Sequence, residues 1–84
     1  MEIKTVIVHS FTLGDVDDPD LYAAQPLYEW QTSEQGQWIM DHAVEQPVWH
    51  RMVDPVMYGY KYKITARLKA VDYTFWALKW NSVN

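Results

Sequence analysis

The chain has 84 residues, a net charge of −4 and no cysteine, and 15% of its residues are aromatic. This length supports one domain, residues 1–84, and the lack of cysteine excludes disulfides, thiolate metal sites and a cysteine nucleophile. The first residues lack the basic and apolar regions of a signal peptide, and no apolar run approaches the roughly 18 residues of a membrane span. We therefore expect a cytoplasmic protein without membrane contact.

The charge is distributed unevenly along the chain. Residues 1–54 carry ten acidic side chains against Lys4 and Arg51, whereas residues 55–84 carry five basic side chains against Asp72. The two parts therefore have net charges of −8 and +4. Such asymmetry steers and orients association without naming a partner.

The first predicted elements are a strand and a short helical turn. Ile3–Leu13 is apolar on both sides, which is typical of a central strand, and one face is predicted to hold Ile3, Thr5, Ile7, His9, Phe11 and Leu13. Asp18 followed by Pro19 is a good helix start, so residues 19–24 are predicted to form one helical turn that Pro26 ends. Residues 27–31 fit either a brief extended segment or an irregular connector.

The central part of the sequence predicts one amphipathic helix over residues 33–45. Thr32 to Gln35 has the form of a capping box with Thr32 as N-cap, and Pro47 ends the helix. Its apolar stripe consists of Gly36, Ile39, Met40, Ala43 and Val44. A glycine inside a helix predicts a close approach, here to the sheet. Residues 48–55 are expected to be a connector.

The most regular pattern lies between Tyr58 and Ala70. Even-numbered positions hold Tyr58, Tyr60, Tyr62, Ile64, Ala66, Leu68 and Ala70, and odd-numbered positions hold Gly59, Lys61, Lys63, Thr65, Arg67 and Lys69. This alternation predicts a strand with one buried and one cationic face. A last strand, Tyr73–Trp80, is expected to complete an antiparallel hairpin with it. The predicted class is α+β: a small antiparallel sheet, built from the N-terminal strand and a long C-terminal hairpin, covered on one face by one amphipathic helix.

Several segments together resemble small uncharacterised proteins of T-even-like tailed phages. The resemblance covers most of the chain and rests on residues 11–26 (FTLGDVDDPDLYAAQP), Glu29-Trp30-Gln31, Glu34, Gly36, Trp38 and Tyr58-Gly59-Tyr60-Lys61. That family carries no assigned activity and no catalytic residues. The resemblance therefore implies a setting, the cytoplasm of an infected bacterium, and no functional site.

No motif in the sequence predicts an enzyme. The acidic loop of residues 15–20 lacks the glycine and the closing glutamate of an EF-hand, and the spacing of His42 and Glu45 matches neither a zinc-protease nor a deaminase motif. The sequence therefore predicts no catalytic residue, no metal site and no cofactor. A small-ligand or metal-dependent enzyme that uses the Asp/His cluster around His42 stays open as an alternative.

The leading hypothesis is a non-enzymatic protein-interaction module that binds a host protein or itself. Its candidate residues are Trp38, His42, Trp49, Lys61 and Lys63, because exposed tryptophan is enriched at interfaces and the cationic strand suits an acidic surface. A homodimer in which the acidic part of one copy faces the basic strand of another is one form of it. The main alternative is single-stranded nucleic-acid binding through Lys61, Lys63, Arg67 and Lys69, which the acidic pI disfavours.

Overall fold

The computed structural model of the chain describes residues 2–56 and 59–80. The elements in chain order are β1 (Ile3–Leu13), α1 (Pro19–Thr32), α2 (Glu34–His42), β2 (Val48–Val53), β3 (Tyr60–Lys69) and α3 (Ala70–Lys79). The strands form one antiparallel sheet in the order β1-β3-β2. The predicted α+β class is therefore confirmed. None of the helices in the described residues is long and apolar enough to cross a membrane.

Strand β3 is the centre of the sheet and keeps the two faces that its sequence predicts. Tyr62, Ile64, Ala66 and Leu68 are buried on one face. Each helix adds one buried residue to the core against that face: Trp30 from α1, Ile39 from α2 and Trp76 from α3. All three helices therefore pack on the same side of the sheet. Tyr58, the predicted start of the strand, lies outside the described residues.

Strand β1 lies at an edge of the sheet, so the prediction of a central strand was wrong. Its pairing with β3 shifts between Ile7, which faces Thr65, and His9, which faces Ile64. Because of this bulge, the odd-numbered side chains of β1 lie on the face away from the helices before it and on the helical face after it. Ile3, Thr5 and Ile7 are exposed on the face away from the helices, whereas Val8, His9, Phe11 and Leu13 are at least half-buried beneath them. The six side chains that were predicted to share one face therefore lie on opposite faces of the sheet, three before the bulge and three after it.

Residues 48–53 form strand β2 and not a connector. Val48 pairs with Thr65 and Val53 with Tyr60 without interruption, and the backbone N–H of Asp54 donates to the carbonyl of Gly59 at 2.8 Å. The β-branched and aromatic residues of this segment suit a strand. The hairpin of the sheet is thus formed by β2 and β3.

Helix α1 runs through Pro26, so the predicted stop at this residue was wrong, and residues 27–31 are helical. A proline inside a helix costs roughly 3 kcal/mol because one hydrogen bond is lost and the ring crowds the preceding turn. Ala23 and Trp30, one on each side of it, are buried, and Trp30 is part of the core against the sheet. Packing on both sides of the proline offsets its cost and keeps the helix continuous.

Helix α2 is capped by Ser33, one residue after the predicted cap Thr32. The Ser33 Oγ accepts a hydrogen bond from the N–H of Gly36 at 3.1 Å and donates one to the carbonyl of Trp30 at 2.6 Å. A Cβ at Gly36 would overlap that same Trp30 carbonyl. The close approach predicted for Gly36 therefore exists, but its neighbour is the end of α1 and not the sheet.

The last segment is helix α3 and not the predicted strand Tyr73–Trp80. Strand β3 already has β1 on one side and β2 on the other, so no edge remains for a fourth strand beside it. As a helix, the segment places Tyr73, Trp76, Ala77 and Trp80 against the core, at the spacing of one helical stripe. Three helices, and not one, therefore cover the sheet.

Candidate functional site

Strand β2 is the least covered element of the sheet. All six of its residues are exposed, although Val48, Trp49, Met52 and Val53 are large and apolar. The buried residues of the helices lie over β1 and β3, so β2 extends beyond the helical layer. Trp49 and Val53 lie on the helical side of the sheet and Val48 and Met52 on the opposite face, so β2 is apolar and exposed on both faces.

The outer edge of β2 carries unpaired backbone groups. In an antiparallel pair, residues whose backbone N–H and C=O groups point toward the partner strand alternate with residues whose backbone groups point away from it. The hydrogen bond from the N–H of Asp54 to the carbonyl of Gly59 fixes this alternation. The backbone groups of Val48, His50 and Met52 therefore point toward β3. The backbone N–H and C=O groups of Trp49, Arg51 and Val53 point away from β3, and within the described residues no backbone hydrogen bond reaches them. We call these groups the β2 edge.

A cleft lies beside the start of β2, between this strand and helices α1 and α2. Its volume is about 330 Å³, near the lower limit of small-molecule pockets. We call it the aromatic cleft because its main lining residues are Leu27, Tyr28, Trp30, Met40, Trp49 and Ile64. Trp49 therefore belongs to both features: its side chain lines the cleft and its backbone is part of the β2 edge.

A polar network fixes the orientation of β2 relative to α1. The hydroxyl of Tyr62 donates to Asp20 Oδ1 at 2.8 Å, and Arg51 Nη1 donates to the same oxygen at 3.1 Å. Burial, followed by the hydrogen bond to Asp20, raises the pKa of Tyr62 to about 12. The Asp20 carboxylate raises the pKa of Arg51. The sequence did not predict this network, because its members are up to 42 residues apart.

Trp38 and His42 lie together where α2 meets α3. Their rings stack at 4.1 Å between centroids, and His42 Nδ1 donates to the carbonyl of Trp38. Trp38 also stacks on Phe75 of α3 at 5.3 Å and contacts Trp80 at 5.5 Å. Trp38 is therefore half-buried between α2 and α3 and does not project as an isolated side chain.

The predicted cationic residues lie in one row on the face of the sheet opposite the helices. We call this surface the basic face: Lys61, Lys63, Arg67 and Lys69 of β3, with His50 of β2 beside Lys63. Of the residues of the basic face, only Arg67 has an ion pair within the described part of the chain, with Glu45 at 3.2 Å. The predicted last strand would have placed Tyr73, Phe75 and Lys79 beside this row, but they belong to α3 on the other side of the sheet.

The five candidate partner-binding residues therefore belong to three surfaces. Trp49 lines the aromatic cleft, Trp38 and His42 lie between α2 and α3, and Lys61 and Lys63 lie on the basic face. His42 does not line the aromatic cleft. Across residues 2–56 and 59–80, no three His, Asp or Glu side chains are grouped to hold a metal ion.

Comparisons with protein-family models, with curated proteins and with solved structures found no match.

Proposed function

We propose that this chain is a non-enzymatic protein-interaction module that binds an extended segment of a partner protein along strand β2. The observation that carries this proposal is that the unpaired β2 edge and the aromatic cleft meet at Trp49. An extended segment added to a sheet edge gains affinity from backbone hydrogen bonds and specificity from pockets that receive alternate side chains. Strand β2 offers unpaired backbone groups along its edge and a pocket in the aromatic cleft.

The two edges of the sheet differ in a way that favours β2. The bulge at residues 7–9 interrupts the ladder of β1, and bulges protect edge strands from further pairing. The register of β2 with β3 is uninterrupted over its six residues. A partner strand beside β2 would form up to three pairs of backbone hydrogen bonds with Trp49, Arg51 and Val53.

The positions of the side chains define the pattern of the partner segment. Side chains on one face of the added strand would lie over the helical side, beside Trp49 and the aromatic cleft. Those on the other face would lie beside His50 and Met52, near the row of lysines. We therefore expect a segment with apolar residues at alternate positions and acidic residues between them. The cytoplasm of an infected bacterium, which the phage resemblance implies, is the proposed setting.

The test is a selection from displayed peptides followed by binding measurements on a synthetic peptide. Trp49→Ser should weaken binding roughly 30-fold, as expected for a tryptophan hot spot. The matched control is Phe75→Ser, because Phe75 is 49% exposed and Trp49 46% exposed, but Phe75 lies on α3. A peptide that binds both variants equally well would contradict the proposal.

Hydrogen exchange of individual backbone amides provides a second readout. In the unbound protein, the amides of Val48, His50 and Met52 are protected by the ladder and those of Trp49, Arg51 and Val53 are not. Binding along the β2 edge should protect the second group and leave the first nearly unchanged. If the peptide binds without protecting the amides of this second group, it binds at another surface.

A second candidate function is single-stranded nucleic-acid binding on the basic face. What favours it is that Lys61, Lys63 and Lys69 have no ion pair in the part of the chain that the structure describes. The described part of this face holds no Phe, Tyr or Trp ring for base stacking and only the imidazole of His50, so binding would depend mainly on phosphate contacts. Each lysine that contacts a phosphate contributes a slope of about −0.7 in log K against log salt. Lys63→Ala should reduce the slope of oligonucleotide binding by that amount, and salt-independent binding would exclude this function.

A further inference from the structure

Helix α3 has apolar side chains on two opposite sides. One side faces the core, and the other carries Val71, Phe75 and Leu78, at the spacing of one helical stripe. Val71 and Leu78 are each 73% exposed and Phe75 is 49% exposed. A helix that is apolar all round is normally buried on all sides. We call these three residues the outer stripe.

Charged residues flank the outer stripe on the same side of the helix. Asp72 lies in the first turn of α3 and Lys79 in the last, seven residues apart. Lys79 pairs with Glu34 at 3.2 Å and lies 4.8 Å from the centre of the Trp80 ring. Asp72 makes no ion pair with any described residue.

We infer that the outer stripe pairs with the outer stripe of a second copy, with the two α3 helices antiparallel about a two-fold axis near Phe75. This arrangement places Val71 of one copy against Leu78 of the other. It also places each Asp72 near the Lys79 of the partner copy, so that opposite charges meet at both ends. A parallel pair would place like charges together, which is unfavourable.

The surface that supports this dimer extends onto α2. Trp38 stacks on Phe75 and His42 stacks on Trp38, so both rings border the outer stripe. The combined patch consists of five side chains, whereas a standard stable interface has about 20–30 residues on each side. The dimer is therefore weak, with a dissociation constant on the order of 100 µM. The dimer leaves the β2 edge and the aromatic cleft of each copy uncovered.

The test is sedimentation equilibrium of the full chain from about 10 µM to about 1 mM, a range that brackets a weak interface. The wild type should form a concentration-dependent dimer, and Leu78→Glu should weaken it at least about tenfold. Leu21→Glu is the matched control, because Leu21 is 67% exposed on α1 and lies outside the outer stripe. Val71→Glu replaces Leu78→Glu if circular dichroism shows that the latter is not folded.

Charge exchange tests the antiparallel orientation. Asp72→Lys should weaken the dimer, and so should Lys79→Glu made together with Glu34→Lys, which keeps the pair between residues 79 and 34 complementary. The variant with all three changes, which serves as the double variant for the intermolecular pair, should restore the dimer to within about threefold of the wild type. A monomer at the highest concentration, equal effects of Leu78→Glu and Leu21→Glu, or no recovery in the double variant would each overturn the inference. The dimer does not depend on the proposed function: Trp49→Ser should leave it intact.

Discussion

The hydroxyl of Tyr62 provides a quantitative test of the packing between α1 and the sheet. The side chain of Tyr62 is completely buried, and its pKa is raised to about 12 from an ordinary value of 10.0 by burial and by its hydrogen bond to Asp20. One pKa unit corresponds to about 1.4 kcal/mol. The protonated state of Tyr62 therefore contributes at most about 2.7 kcal/mol to the free energy of unfolding, and solvent screening around the exposed Asp20 carboxylate reduces this contribution.

The raised pKa determines how this contribution depends on pH. In the unfolded chain Tyr62 ionises near pH 10, whereas in the folded chain it resists ionisation up to about pH 12. The contribution is therefore complete below pH 10 and is lost as the pH rises from 10 to 12. Urea unfolding followed by tryptophan fluorescence between pH 8 and about pH 11.5 measures this loss.

Two variants separate Tyr62 from the other groups that titrate at high pH. Tyr62→Phe should lower stability at pH 8 by roughly 1.5–3 kcal/mol, because a hydrogen bond to a charged group is lost, and should lose less stability than the wild type between pH 10 and 12. Tyr28→Phe is the control, because Tyr28 is exposed. If the wild type and Tyr62→Phe lose stability in parallel above pH 10, the reasoning is refuted.

Three further predictions concern the fold. Gly36→Ala should destabilise the protein by roughly 2 kcal/mol in urea unfolding, because the added Cβ would overlap the carbonyl of Trp30; Gly14→Ala should be nearly neutral, because no atom lies within 4 Å of its added Cβ. Burial lowers the pKa of His9. The free energy of unfolding should therefore fall as the pH drops below 6.5, and His9→Gln should remove this part of the pH dependence. Pro26→Ala should raise the free energy of unfolding by roughly 1–3 kcal/mol, because it restores a helical hydrogen bond; a lower thermal midpoint would contradict this.

The residues of β3 show what a local pattern can predict. Alternation of apolar and cationic side chains from Tyr60 to Lys69 leaves only one fold of the segment in which the apolar side chains share a face. The bounds of β1 were also predicted, because glycine and aspartate follow directly after Leu13. Its position in the sheet was not, since a strand that is apolar on both sides is typical of a central position but does not require one.

The aromatic cleft shows what a local pattern cannot predict. Trp49 was identified as a candidate from its residue type, but the cleft also needs Tyr28 from α1 and Met40 from α2. The strand character of residues 48–53 had a detectable signal: Val48, Trp49, Met52 and Val53 favour strands, and Asp54-Pro55 is a common start of a turn. These two features together predict a hairpin with the following strand.

By itself, the sequence determined the α+β class, strand β3 with its two faces, the bounds of β1 and a row of cations on one surface. These properties follow from side-chain periodicity, which acts within a single segment. The tertiary structure decided the secondary structure of residues 70–80, whose apolar side chains are compatible with either a strand or a helix. Strand β3 already has a neighbour on each side, so the segment folds as a helix over the sheet, and only this choice creates the outer stripe.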